Sequence, residues 1–301
     1  MAGTIRGVVA AIITPITRDA QPDHASLIEL ARALLRNGCD GLNLLGTTGE
    51  ATSFTLEQRI GVMAAAARHL PPARLMVGTG AAAVGDAVRL SKEAADLGFS
   101  AVLLLPPFYY KGVTDSGVTE YVGAVVEATR DSSIPIFLYN FPALSGIPYT
   151  LPLINALIDR FGTRIAGLKD SSGDMAYARS VAALPSGLAV YPSSEACLLD
   201  ARAGTFAGCI SATANLNSRL CASAYHEADG DALTRALAIR NLFNGRPLIP
   251  GIKALMAVAH ADPQYAALAP PLTRLSKREE TDLRDQYLAL SAGSWGARIC
   301  A

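Results

Sequence analysis

The sequence predicts an α/β fold, a (β/α)8 TIM barrel with a C-terminal helical extension, and three observations favour it. The chain has 301 residues, 50% of them hydrophobic, which is enough to bury a large core. Eight short apolar, often β-branched runs recur along it, and amphipathic segments of helical length separate most of them. Strands that alternate with helices pair in parallel, and eight such units over roughly 210 residues suit a closed barrel.

The predicted strands are nearly uninterrupted apolar runs, a pattern typical of strands that are buried on both faces. They are expected at residues 8–13, 41–45, 74–78, 101–105, 134–139, 165–169, 188–191 and 207–211. Helices are expected between them, for example at residues 24–37, 56–70, 84–97 and 117–129. Gly38 and Gly98 follow two of these helices and are expected to end them.

An open doubly wound sheet is the competing fold, and the segment after the first strand argues against it. Such sheets carry a glycine-rich phosphate loop at that point, whereas this chain has the sequence TPIT at residues 14–17. We therefore expect residues 1–224 to form the barrel. Residues 225–301 are expected to form a helical region packed on it, with helices at 232–243, 252–260 and 277–291.

Charge and cysteine content exclude several classes of function. The 26 basic and 26 acidic residues balance, so nothing favours binding to nucleic acid or an anionic membrane. No apolar run approaches the roughly 18 residues of a spanning helix, and the amino terminus lacks a signal-peptide pattern. The five cysteines are scattered and form no CxxC pair, which is typical of buried thiols in a reducing compartment. We expect a cytoplasmic protein without a metal site.

In such a barrel the chemistry belongs to the loops at the carboxyl ends of the strands, and the sixth strand ends in Lys169. Its neighbours are small or apolar, so we expect its amine to lie in the barrel mouth with few waters. Desolvation disfavours an ammonium ion, and a neutral amine can attack a ketone to form a Schiff base. The alternative is a structural lysine paired with Asp170 or Glu50.

Two further strand ends add a phenol and a turn rich in hydrogen-bonding groups. Tyr139 ends the fifth strand, where its hydroxyl could relay protons; the alternative is a core tyrosine. The second strand runs into the sequence GTTGE. Here Gly46, Thr47 and Thr48 offer N–H groups and hydroxyls that suit a carboxylate, although an ordinary turn is the alternative. Together the three strand ends suit a 2-oxo acid whose keto carbon is attacked by Lys169.

These motifs resemble the dihydrodipicolinate synthase and N-acetylneuraminate lyase superfamily of class I aldolases. The resemblance extends from about residue 7 to the final helices and rests on GTTGE (46–50), YNFP (139–142), GLKD (167–170) and ISATAN (210–215). It implies that Lys169 forms a Schiff base with pyruvate or a related 2-oxo acid and that Tyr139 shuttles protons. Thr47 and Thr48 would hold the carboxylate and relay protons. Ile210 would line the site through its backbone carbonyl.

The resemblance also implies an assembly. Family members are mostly homotetramers built from dimers, and they need no metal or organic cofactor. The aromatic run at residues 108–110 matches the place where one subunit lends a tyrosine to its neighbour's site. Tyr109 aligns better with that tyrosine than Tyr110 does, so we expect Tyr109 to act in the site of a neighbouring subunit.

One departure from the family's synthases bears on the substrate. Dihydrodipicolinate synthases carry an arginine shortly after the Tyr-Asn-x-Pro motif, where it binds the carboxylate of the aspartate-semialdehyde side. Here Leu144 takes that place, and the string PALSG around Leu144 and Ser145 looks more like sialic acid lyases and 2-keto-3-deoxy-sugar-acid aldolases. We expect both residues to contact the substrate. The polar residues with which sialic acid lyases grip a sugar chain are matched loosely by Ser193, Ser194 and Glu195.

We therefore expect an aldolase that acts on a 2-keto-3-deoxy-sugar acid or a similar 2-oxo acid. Three alternatives stay open. The first is the synthesis of 4-hydroxy-tetrahydrodipicolinate from pyruvate and aspartate semialdehyde, which the ISATAN segment favours. The second is a dehydratase that uses the same Lys169 imine to expel hydroxide. The third is a barrel that only binds a 2-oxo acid.

Overall fold

The computed structural model describes residues 5–291. Eight parallel strands form its framework: β1 (Gly7–Ala11), β2 (Gly41–Leu44), β3 (Leu75–Gly78), β4 (Ala101–Leu104), β5 (Ile136–Asn140), β6 (Ile165–Asp170), β7 (Ala189–Pro192) and β8 (Gly208–Ser211). Each strand pairs with its neighbour in sequence from β1 to β7, and β1 also pairs with β8. The eight predicted strands are confirmed, with ends that differ by at most two residues.

The barrel closes at two seams that lie beside β8. The N–H of Ala207 donates to the carbonyl of Val190 at 2.9 Å, and the N–H of Gly7 donates to the carbonyl of Ala207 at 2.9 Å. Gly208 permits the close approach of β1, since a Cβ there would lie 1.9 Å from the carbonyl oxygen of Gly7. The barrel interior is filled by inward-facing side chains that include Val9, Met76, Leu103, Phe137, Tyr191 and Ile210.

Twelve helices accompany the strands in the described part of the chain: α1 (His24–Arg36), α2 (Leu56–His69), α3 (Val84–Asp96), α4 (Asp115–Ala128), α5 (Pro142–Ser145), α6 (Leu151–Phe161), α7 (Met175–Ala182), α8 (Leu198–Arg202), α9 (Ala214–His226), α10 (Gly230–Asn241), α11 (Leu248–Ala259) and α12 (Lys277–Ser291). The helices predicted from the sequence are all present. Gly38 and Gly98 have φ values of +94° and +77°, the left-handed conformation that ends a helix.

The last three helices, α10 to α12, form the predicted helical region. Its predicted boundary at residues 224 and 225 falls inside α9 (Ala214–His226), so the division into two parts stays a prediction. Four of the five cysteines are free and buried, and Cys300 lies outside the described residues. No helix within residues 5–291 has the length and apolar character needed to cross a membrane.

Candidate active site

Lys169 lies near the carboxyl end of β6, where only 4% of its surface is exposed. Its Nζ is 4.4 Å from the ring centroid of Tyr139, because the two residues are register partners on β6 and β5. Among the described residues, no carboxylate forms an ion pair with this amine. Asp170 instead accepts hydrogen bonds from other groups, and Glu50 pairs with Lys253. The structural pairing considered for Lys169 is therefore absent from residues 5–291.

A buried amide–carboxylate contact holds the ends of β5 and β6 together. Asn140 Nδ2 donates to Asp170 Oδ1 at 2.7 Å, and Asn140 Oδ1 accepts from the N–H of Tyr149 at 3.0 Å. Burial raises the pKa of Asp170, while hydrogen bonds from Asn140 and Ser172 oppose that rise. Since Asn140 and Asp170 directly follow Tyr139 and Lys169, this contact fixes the two side chains relative to each other.

Tyr139 is 4% exposed, and its hydroxyl hydrogen-bonds with Thr47 Oγ1 at 3.0 Å. Thr47 belongs to the turn that follows β2, and the next residue, Thr48, is buried. The structure thus brings the phenol of β5, the hydroxyls of this turn and the amine of β6 together. A hydroxyl chain of this kind can carry a proton between a bound substrate and the phenol.

These side chains border one cavity of about 650 Å³. The barrel contributes Thr47, Thr48, Tyr139, Phe141, Lys169 and Ile210 to its wall, and the helical region contributes Arg240, Pro247, Leu248, Pro271, Thr273 and Arg274. Cavities of about 300–1,000 Å³ hold ligands much larger than a three-carbon acid. The helical region therefore forms part of the site, which the sequence did not predict.

A buried ion pair links the turn at residues 46–50, which we call the threonine turn, to the helical region. Glu50, at the end of the turn, has a φ of +56° and pairs with Lys253 of α11, and both side chains are fully buried. Lys253 Nζ also donates to the carbonyl of Ala267 at 2.7 Å, and Glu50 Oε2 accepts from the N–H of Ala269 at 2.8 Å. Desolvation lowers the pKa of Lys253, and the charge of Glu50 opposes that change.

A second buried carboxylate, Glu195, lies behind the wall of the cavity. Its Oε1 accepts hydrogen bonds from Ser211 at 2.7 Å, from Thr213, and from Asn217 Nδ2 at 3.3 Å. Its Oε2 accepts from Arg240 Nη1 at 3.1 Å. Glu195 is fully buried and is not among the residues that line the cavity. The sugar-binding role considered for Glu195 therefore does not fit its position.

Three other predicted site residues, Leu144, Ser145 and Tyr109, differ in whether they line the cavity. Leu144 lines the cavity and is 56% exposed. The buried hydroxyl of Ser145 donates within its own turn, to the carbonyls of Phe141 and Ile147, and does not line the cavity. Tyr109 and Tyr110 are 74% and 71% exposed, and within the single chain neither lines the cavity around Lys169.

Gly46 begins the threonine turn in close contact with the strand beneath it. A Cβ at Gly46 would lie 2.7 Å from Asn43 Nδ2, so a side chain there would displace either the turn or the buried Asn43 side chain. Asn43 is fully buried, and neither of its side-chain polar atoms has a hydrogen-bond partner among the described residues.

The two serines considered for sugar binding differ in position. Ser193 lines the cavity. Ser194 Oγ accepts a hydrogen bond from the N–H of Ala196.

Arg240 and Lys253 are the site residues that sequence reasoning missed. Lys253 had a detectable signal, because it is the one charge within the apolar segment LIPGIKALMAVA, and a buried lysine requires a partner. Arg240 had none, since nothing in the sequence of its helix distinguishes it from an ordinary surface arginine. Within residues 5–291, no group of three or more His, Cys, Asp or Glu side chains could hold a metal ion.

Comparison with known proteins places this arrangement among enzymes. An uncharacterized DapA-like lyase from Chloroflexus aurantiacus is 34% identical over 296 residues, which are 96% of this chain and 98% of the relative. Dihydrodipicolinate synthase from Agrobacterium tumefaciens superposes with a TM-score of 0.88 at 27% identity, covering 95% and 99% of the two chains. A prophage protein from Escherichia coli K12, solved in complex with pyruvate, superposes with a TM-score of 0.85 at 25% identity, covering 96% and 99%.

The barrel, the residues at its mouth and these relatives define an enzyme of the lyase and aldolase class. The model of the dihydrodipicolinate synthetase family matches residues 4–289. The chain belongs to that family, and the resemblance inferred from its four sequence motifs is confirmed.

Proposed function

We propose that the chain is a Schiff-base-forming lyase that uses pyruvate or a related 2-oxo acid. Its reaction is the aldol cleavage or condensation of a 2-keto-3-deoxy-sugar acid or a similar 2-oxo acid. One observation carries this proposal: the buried amine of Lys169 borders the cavity without a carboxylate partner among the described residues, 4.4 Å from the ring centroid of Tyr139. A relative that binds pyruvate supports the choice of substrate.

The proposed cleavage begins when Lys169 Nζ attacks the keto carbon, C2. A proton moves to the resulting hydroxyl, water leaves, and an iminium ion forms. The C3–C4 bond then breaks: its electron pair enters the iminium to give an enamine, and the C4 hydroxyl passes its proton to Tyr139 as the aldehyde departs. Protonation of C3 and addition of water release pyruvate and restore the amine, and condensation runs the same steps in reverse.

The threonine turn gives the reaction its geometry. Thr47 hydrogen-bonds with the Tyr139 hydroxyl at 3.0 Å, so a proton taken by the phenol has a neighbour that can accept or return one. Thr48 and the N–H groups of the turn suit the substrate carboxylate, because they offer neutral donors at a largely buried turn. A carboxylate held there directs C2 towards Lys169.

Borohydride trapping with pyruvate tests the proposal. Reduction of the imine links pyruvate to the protein, and peptide mapping should place the mass increase on Lys169. Lys169→Ala should abolish the adduct, whereas Lys92→Ala, at an exposed lysine on α3, should leave it unchanged. An adduct that persists in Lys169→Ala would place the imine on another amine and refute the role of Lys169. The absence of an adduct from the wild type would refute the imine mechanism and leave a barrel that only binds its ligand.

The synthase is the second candidate, and similarity to the Agrobacterium tumefaciens enzyme favours it. Leu144, which supplies no charge to the cavity wall, argues against it. A panel of aldehydes offered with pyruvate, including aspartate semialdehyde, separates the synthase from a sugar-acid aldolase. A dehydratase would instead convert a 2-keto-3-deoxy acid without releasing any aldehyde.

The proposed assembly is a homotetramer made of two dimers, in which Tyr109 enters the site of a neighbouring subunit. The exposure of Tyr109 and Tyr110, whose ring centroids are 5.4 Å apart, supports a subunit contact there. Sedimentation of the purified chain tests it, since a strict monomer would leave Tyr109 with no neighbouring site. A cytoplasmic location stays a prediction, which cell fractionation can test.

A further inference from the structure

The wall of the cavity that faces the helical region carries a cation that the proposed chemistry does not use. Arg240, on α10, lines the same cavity as Lys169. Its Nη1 donates to the carbonyl of Ser193 at 3.0 Å and to Glu195 Oε2 at 3.1 Å. Both bonds use one nitrogen. Nε and Nη2 therefore have no protein partner among residues 5–291, although a guanidinium offers five donors.

The guanidinium is held in place from behind. Glu195 is fully buried, and three further donors fix its other oxygen: Ser211, Thr213 and Asn217. A carboxylate so constrained holds the Nη1 edge of Arg240 against the wall, so a ligand meets donors whose orientation is already set. Binding to an oriented donor loses less side-chain entropy than binding to a free surface arginine.

The other charges around the cavity also favour an anion. Arg274 lines it too, and Glu279 is the one carboxylate among the lining residues of the described chain. Glu279 already accepts hydrogen bonds from the N–H and hydroxyl of Ser276. Leu144 contributes no charge to its part of the wall. The cavity therefore offers guanidinium groups on the side of the helical region, apart from the threonine turn that suits the 2-oxo carboxylate.

We propose that Arg240 is a specificity-determining residue that binds a second acidic group, at the end of the substrate remote from the 2-oxo carboxylate. This inference rests on the proposed function of Lys169 and narrows the substrate class to 2-oxo acids that carry two anionic ends. A guanidinium binds a carboxylate or a phosphate through paired N–H donors. Lys169 and Arg240 line one cavity of about 650 Å³, which is large enough for a ligand longer than pyruvate.

Condensation of pyruvate with three aldehydes tests the proposal. The aldehydes share one chain length and end in a carboxylate, a phosphate or a hydroxymethyl group. The wild type should prefer an acidic aldehyde, and the better of the two identifies the anion. Arg240→Gln should lower kcat/KM for that aldehyde by about 10- to 100-fold, mainly through KM, because it removes a charge-assisted contact. The hydroxymethyl aldehyde should change by less than about threefold, and Arg240→Lys should restore part of the loss.

Control variants distinguish a role of Arg240 in substrate specificity from a structural role. Arg240→Gln leaves Glu195 without its counter-ion, so the Arg240→Gln/Glu195→Gln pair is measured beside it and should show the same selective loss. Arg179→Gln, which breaks an exposed ion pair with Asp200 outside the cavity, should leave all three aldehydes unchanged. If kcat/KM fell equally for acidic and neutral aldehydes in Arg240→Gln and in the double variant, the role of Arg240 would be only structural.

The proposed function and this inference fail in different ways. Borohydride trapping of pyruvate alone should be as fast in Arg240→Gln as in the wild type, since pyruvate lacks the second acidic group. If the wild type forms no imine at Lys169, the proposed function fails and this inference fails with it. If the imine forms and the wild type uses acidic and neutral aldehydes equally well, the role of Arg240 alone is overturned.

Discussion

Lys169 and Lys253 are both buried at the same end of the barrel, but the chain surrounds them differently. Lys253 is fully buried and meets Glu50 and the carbonyl of Ala267. Lys169 is 4% exposed, and among the described residues it has an aromatic ring as its neighbour and no carboxylate partner. Lys253 has a carboxylate and a carbonyl as partners, whereas Lys169 has no hydrogen-bond or ion-pair partner among the described residues.

The difference shows how burial alone misleads as a guide to function. A buried ion pair is costly to disrupt because the remaining charge has no solvent, so Lys253 has a structural role. A buried amine without such a partner that borders a cavity is a candidate nucleophile. Lys253 supports the turn beside the site, since its partner Glu50 ends the segment that carries Thr47 and Thr48. Loss of activity and loss of stability should therefore separate between them.

The largest effect is expected from Lys169→Met. Removal of the nucleophile should lower turnover by at least about 10³-fold. The unfolding free energy should stay within about 1 kcal/mol of the wild type, because no ion pair among the described residues is broken. Chemical denaturation beside turnover assays measures both. A Lys169→Met protein that loses several kcal/mol of stability would mean that this lysine is structural after all.

Lys253→Met should show the opposite pattern. It leaves Glu50 buried and unpaired, a change that typically costs about 3–5 kcal/mol of unfolding free energy. Denaturation curves measure the loss. Adding Glu50→Gln removes the stranded charge, so the double variant should regain a large part of the stability. If Lys253→Met and the double variant were equally unstable, packing of the lysine stem rather than its charge would explain the loss.

The contrast between these residues also marks what the sequence could predict. Lys169 and Tyr139 each lie at the end of an apolar strand, and consecutive strands are neighbours in a barrel. Local pattern and chain order were therefore enough to bring them together. The buried pairs depend on tertiary contacts: Glu50 and Lys253 are 203 positions apart, and Glu195 and Arg240 are 45 apart. No periodicity encodes such a contact.

The positions of the strands and helices were also predictable from local sequence pattern. Strands such as β1 and β5 are buried along their whole length, so their apolar runs are visible without knowledge of their partners. How α10 and α11 close over the barrel mouth was not visible, because an amphipathic helix shows which face is buried but not what it packs against. For this reason the sequence did not predict that the helical region contributes to the cavity wall.

Tyr139→Phe is expected to have the next largest effect and sharpens the account of Lys169. The ring that lies beside the amine remains, while the hydroxyl bonded to Thr47 is lost. Turnover should fall by about 10²-fold or more, but borohydride trapping of pyruvate on Lys169 should persist. Thr47→Val, which removes the other hydroxyl of the pair, is the matched variant. Unchanged turnover in Tyr139→Phe would remove the phenol from the mechanism.

The smallest effect concerns the pH dependence of the paired lysine. Desolvation lowers the pKa of Lys253 below its ordinary 10.5, and Glu50 opposes the change. Between the folded-state pKa and 10.5 the unfolded chain therefore binds more protons than the folded chain. Stability contributed by this group rises with pH across that window. The unfolding free energy of the wild type, minus that of Lys253→Met/Glu50→Gln, should accordingly increase as pH approaches 10.5.

The subtraction isolates Lys253 from the other groups that titrate at high pH. Burial raises the pKa of Tyr121 to about 12, which destabilises the folded chain at high pH because the unfolded phenol ionises first. That contribution is present in both proteins and cancels in their difference. A difference that stays level as pH rises would show that Glu50 balances desolvation, and one that falls would show that Glu50 outweighs it. Lys253 would then hold its proton more tightly in the folded chain than in the unfolded one.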